Sequence, residues 1–154
     1  MEILIENRQL LLKIKPRLIR SKLKKILSAL VSEPVQLSVV FVDDSDIALL
    51  NQQYLNRSGP TNVISFPMRE GEFAHLHPEL LGDVVISVET AAREARELSQ
   101  SVEERIDFLL VHGILHLLGY DHEKSERDME LMEDKSNELM EIIYPSSEGR
   151  VEVF

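Results

Sequence analysis

The chain has 154 residues, no cysteine, and 17 Lys+Arg against 27 Asp+Glu for a net charge of −10. That length suits one domain over residues 1–154, able to bury about two-thirds of its unfolded surface, and a 44% hydrophobic content excludes wholesale disorder. Without cysteine there is no disulfide scaffold, thiol nucleophile, iron–sulfur cluster or Cys-containing zinc site, so any metal must rest on His, Asp or Glu.

Charge and apolar residues order the N-terminal half. Glu2–Glu6 reads as a short strand, and its mixture of charged and apolar residues is unlike a signal peptide. Residues 16–31 follow a helical rhythm, with Leu18, Ile19, Leu23, Ile26, Leu27 and Leu30 inward and the basic residues outward. Residues 1–30 hold eight basic against two acidic side chains, a net of +6, whereas the other 124 hold nine against 25, a net of −16. Such a basic helix is either an ordinary solvated face or a local track for phosphates. Pro34 stops it. Val35–Val42 is rich in β-branched residues and predicts a second strand, and Asp43–Asp46 offers N-caps for a helix to about Leu55. Residues 56–60 are a loop, and Asn62–Phe66 predicts a third strand closed by Pro67.

Residues 68–82 read as a long excursion carrying His75 and His77, which are expected to be exposed loop histidines. Asp83–Val88 predicts a fourth strand, with Asp83 capping or hydrogen-bonding across the sheet, and Thr90–Leu98 a helix. Ser101 and Glu104 match a capping box before a helix to about Leu118, ended by Gly119. A last helix spans about Ser125–Ile143, packing Met129, Met132, Leu139, Met140 and Ile143, and residues beyond Pro145 read as a frayed tail. The expected fold is α+β: a single mixed four-stranded sheet packed with about five helices. No apolar run is long enough to span a bilayer, and a cytoplasmic protein is expected.

The segment His112-Gly-Ile-Leu-His116-Leu-Leu-Gly119-Tyr-Asp121-His122 carries the chemistry. Two imidazoles four apart project from one helix face, and a reversal at Gly119 returns His122 from the side. Three neutral imidazoles plus a water make a tetrahedral zinc site with an open position, one Zn²⁺ per chain. The skeleton is that of the metzincin peptidases, which carry a Glu general base directly after the first His. Here that position is Gly113, which transfers no proton. Asp121 is suited to orienting a ligand imidazole or taking a proton from the attacking water, with a turn-stabilising Asp as the alternative. Ser65 lacks the surroundings of a nucleophile.

The histidine segment resembles the signature of the bacterial YbeY family of single-strand-specific endoribonucleases that act in ribosomal RNA maturation. Pro60-Thr-Asn-Val-Ile-Ser-Phe-Pro67, Leu81-Gly-Asp-Val-Val-Ile-Ser87 and Leu50-Asn51 with Tyr54 are similar to further family segments in the same order. The resemblance implies a zinc-dependent hydrolase, with His112, His116 and His122 as ligands and single-stranded or ribosomal RNA, the ribosome or assembly factors as partners. Neither membrane nor DNA is expected. Many members place an Arg directly after the Tyr of that upstream run to serve the phosphate chemistry. Here Leu55 stands at that position, and the role passes to Arg57, two residues on, whose alternative is an ordinary solvated loop arginine. The competing functions are a metal-dependent peptidase and a non-catalytic ribosome-assembly factor with a structural metal.

Overall fold

A computed structural model describes residues 1–68, 76–121 and 125–144. Its elements run β1 (Glu2–Asn7), α1 (Pro16–Leu30), β2 (Gln36–Val42), α2 (Asp44–Leu55), β3 (Val63–Pro67), β4 (Leu80–Ser87), α3 (Val88–Glu97), α4 (Val102–Leu117) and α5 (Glu126–Ile143). The four strands form one sheet in the order β1-β2-β4-β3. The pairs β1–β2 and β2–β4 are parallel, and β3 runs antiparallel along β4 at one edge. The fold is the mixed α+β arrangement expected from the sequence. His75, His122 and the residues beyond Pro145 lie outside the described residues.

Alternation along the strands divides the sheet into two faces. Leu37, Val39 and Phe41 of β2, with Val84 and Ile86 of β4, point to the main core, where α1, α4 and α5 supply Leu23, Leu27, Leu110, Ile114 and Leu139. Val42, Val85 and Ile64 point the other way, onto Ile47 of α2. Each fully buried aliphatic side chain contributes about 1.5–3 kcal/mol of transfer free energy. The helix α4 buries residues on almost every side, as expected of an apolar helix in the middle of a core. On the flank facing α1, the buried Asp107 carboxylate accepts from Lys22 Nζ at 2.7 Å and from the Tyr144 hydroxyl at 2.5 Å. These bonds tie α1 and the end of α5 to α4.

Three local expectations are corrected. Leu18 is exposed, because the inward stripe of α1 is only Ile19, Leu23, Ile26 and Leu27. Met129 is exposed in the first turn of α5, while Met132 and Leu139 are buried. The fourth strand starts three residues earlier than its apolar run, since Gly82 lies inside it. A Cβ on Gly82 would stand 2.3 Å from the Phe66 carbonyl oxygen, so this glycine answers to the close approach of β3.

Candidate active site

The residues singled out on α4 open onto a cleft of about 650 Å³ between α4, β3 and the loop after α2. Ser101 starts the helix by accepting the Glu104 N–H at 3.0 Å. The Glu104 carboxylate takes the Gln100 side-chain amide at 3.3 Å. At the other end the Gly119 N–H donates to the His116 carbonyl and the Tyr120 N–H to the Leu115 carbonyl, both at 3.0 Å. That pair of bonds, with Gly119 at φ +96°, ends the helix in a Schellman turn and carries Asp121 back to the cleft.

Helical spacing puts His112 and His116 on the cleft side of α4. Their Nε2 atoms are 3.1 Å apart and their ring centres 4.6 Å apart. Two nitrogens bound to one tetrahedral zinc at their usual bond lengths stand about 3.3 Å apart, so the pair fits two corners of such an ion. Among the described residues no group of three His, Asp or Glu donors is gathered closely enough to hold a metal. The third donor expected from the sequence, His122, falls outside them.

Gly113 has a steric reason. A Cβ there would meet Val84 Cγ1 at 2.7 Å and Ser65 Oγ at 3.3 Å. The helix is packed so closely on the sheet that the residue after His112 has no room for a side chain, and the glutamate of a metzincin centre has no place. Ser65 Oγ donates to the Gly113 carbonyl at 2.9 Å, pinning β3 to α4 rather than acting as a nucleophile.

Arg57 and Asp121 line the same cleft as the histidine pair, so the structure brings together the four described site residues expected from the sequence. Arg57 sits on a loop held at both ends by Asn51. The Asn51 carbonyl accepts the Arg57 N–H at 3.2 Å, and its side-chain amide donates to the Gly59 carbonyl at 2.9 Å. Asn56 makes the turn between them with φ +52°. Sequence reasoning missed Arg105 and Phe108. The Arg105 guanidinium lies 4.8 Å from the Phe108 ring centre and pairs with Glu94 at 3.0 Å. Phe108 in turn stacks toward His112 with ring centres 6.1 Å apart. A phenylalanine one turn and an arginine two turns before His112, on the same face of the helix, were the available signal. His77 is exposed and pairs with Glu79 at 3.2 Å, away from the cleft.

A mixed sheet packed by a central helix that carries an imidazole pair, with an arginine on the loop across the cleft, is the plan of a hydrolase acting on an anionic substrate. The model of the family described as Endoribonuclease YbeY matches residues 4–144. Relatives named Endoribonuclease YbeY include one from Syntrophotalea carbinolica, 50% identical over 136 residues covering 88% of this chain and 91% of the relative. Another, from Geobacter metallireducens, is 49% identical over 144 residues covering 93% and 96%. The solution structure of a Thermotoga maritima protein superposes with a TM-score of 0.66 at 26% identity, covering 96% of this chain and 93% of that one. The chain belongs to the YbeY family and is an endoribonuclease.

Proposed function

We propose that the cleft is the catalytic centre, that it cleaves single-stranded RNA during ribosomal RNA maturation in the cytoplasm, and that His112, His116 and His122 hold a zinc ion there. The observation that carries this reading is the 3.1 Å approach of two imidazole Nε2 atoms inside a cleft also lined by Arg57 and Asp121. Bound zinc supplies Lewis-acid polarisation of a phosphoryl oxygen and lowers the pKa of water. The chain's own groups do the rest. Arg57, presented on a pinned loop, binds a non-bridging phosphate oxygen and offsets the charge that builds up during displacement. Asp121 takes the proton released by the attacking water, or orients a ligand imidazole and fixes its tautomer by accepting from a ring N–H. Phe108 and the paired Arg105 exclude water from the back of the His112 ring.

The test is His112→Ala, assayed on single-stranded and duplex oligoribonucleotides and on casein, with elemental analysis of the untreated protein. Cleavage of single-stranded RNA is expected to fall by more than the roughly 10–100-fold that changes around a ligand shell cost. The zinc content should fall with it while the melting transition remains cooperative. A variant that no longer folds points to a structural metal. Casein hydrolysis by the wild type that chelator abolishes points to a peptidase. Either result overturns the proposal.

A further inference from the structure

The strand β3 is an edge of the sheet, Val63, Ile64, Ser65 and Pro67 line the cleft, and the register fixes which backbone groups turn away from β4. At the two ends of the strand, Ser87 donates its N–H to the Asn62 carbonyl at 3.0 Å and Met68 donates to the Leu81 carbonyl at 3.1 Å. Pairing between them runs without a break from Val63–Ile86 to Pro67–Gly82. In an antiparallel ladder, residues that exchange bonds with the neighbouring strand alternate with residues whose N–H and C=O point away. Residues 64 and 66 therefore bond to β4, and residues 63, 65 and 67 turn outward. Two observations agree. Pro67 occupies an outward position, where its missing N–H removes no ladder bond. The Val63 N–H is taken by a side chain, Asn62 Oδ1 at 2.7 Å, rather than by β4.

Ser65 is left as the outward position presenting an N–H, flanked by the outward carbonyls of Val63 and Pro67. Its side chain holds that amide still, because Ser65 Oγ is bonded to the Gly113 carbonyl at 2.9 Å, one residue from His112. A donor fixed before substrate arrives, beside the reacting groups, is the arrangement that stabilises charge most effectively.

We propose that the outer edge of β3 is a substrate rail: an extended single strand of RNA lies along it, with a non-bridging phosphate oxygen accepting from the Ser65 main-chain N–H. This rests on the reading of the cleft as the RNA-cleaving centre. An extended peptide can also add to a strand edge. RNA is favoured because Arg57, which has no ion-pair partner among the described residues, lines the same cleft, and its charge complements a phosphate of the strand.

The test compares Ser65→Pro with Ser65→Ala. Both remove the hydroxyl bond to Gly113, but only proline removes the outward N–H, and neither touches the β3–β4 ladder. On a single-stranded oligoribonucleotide, S65P should have a kcat/KM roughly 100–1,000-fold below that of S65A. Equal values for two folded variants overturn the rail. So does a loss in S65P confined to binding of an extended peptide. Should S65P fail to fold, the Ser65 amide signal of the ¹⁵N-labelled wild type decides. Titration with a 2′-O-methyl oligoribonucleotide should shift it saturably, and an unmoved signal at saturation overturns the proposal. His112→Ala is run alongside: full activity there brings down the cleft reading itself, whereas its loss together with S65P equal to S65A brings down the rail alone.

Discussion

At position 113 two opposing effects can be weighed. Replacing a helical glycine with alanine gains up to about 1 kcal/mol of helix propensity. The added Cβ would stand 2.7 Å from Val84 Cγ1, in a fully buried β4 residue, and overpacking of that kind costs about 1–3 kcal/mol. Crowding therefore wins. Gly113→Ala is expected to lower the urea midpoint and to reduce RNA cleavage by displacing His112 from His116, and an unchanged midpoint with full activity would show the contact to be slack. In the sequence Gly113 was legible only as the absence of a general base; the reason for it lies in Val84 and Ser65, 29 and 48 residues away along the chain. His112 and His116 were legible because helical periodicity alone puts them on one face. Arg57 was legible as a cation near the site, but not as a positioned one, since the bonds that fix its loop come from Asn51, on the preceding helix.

At the scale of elements, capping and alternation in the sequence give most of the architecture, and the errors fall where a tertiary contact overrides a local signal. Gly82 reads as the end of the excursion but lies within β4, where β3 pairs too closely to leave room for a Cβ. Asp43 reads as a cap and is one, accepting the Asp46 N–H at 2.9 Å. The next residue does something no local pattern announces. Asp44 accepts the hydroxyls of Ser87 and Thr90, each at 2.6 Å, and pairs with Arg93 at 2.8 Å, joining the start of α2 to the β4–α3 junction. Burial pushes its carboxyl pKa up, but the bonds from Ser87, Thr90 and Arg93 outweigh burial and hold it below the ordinary value of 3.8. A carboxylate with a depressed folded pKa contributes stability that is complete above the unfolded value and is lost as the pH falls through the folded one. Asp44→Asn should therefore melt below the wild type at neutral pH, by about 1–3 kcal/mol for hydrogen bonds to a charged group. The gap should narrow as the pH drops below about 4. A gap that stays constant down to pH 2 would show that the ionised carboxylate is not what joins these elements.

For the whole molecule, an acidic protein must hold a polyanion. The described residues contain no helix long and apolar enough to cross a membrane, and the chain's positive charge is concentrated in its first 30 residues. Arg17, Arg20 and Lys24 recur at helical spacing along one stripe of α1, and none forms an ion pair among the described residues. Lys22 is different, because it is committed to Asp107 on the flank of α4 turned away from His112 and His116. The stripe and the cleft therefore lie on opposite sides of α4, and an RNA that touches both must be long enough to pass around that helix. Two expectations separate this from a merely solvating role. Changing Arg17, Arg20 and Lys24 together to Ala should reduce the salt slope of binding to a long single strand by about 2, since each phosphate contact on single-stranded nucleic acid contributes about 0.7 to that slope. The same triple variant should bind and cleave a short oligoribonucleotide, confined to the cleft, as the wild type does. An unchanged slope with the long strand would mean that the basic face of α1 only keeps the protein soluble, and that the cleft cation Arg57 supplies the attraction without it.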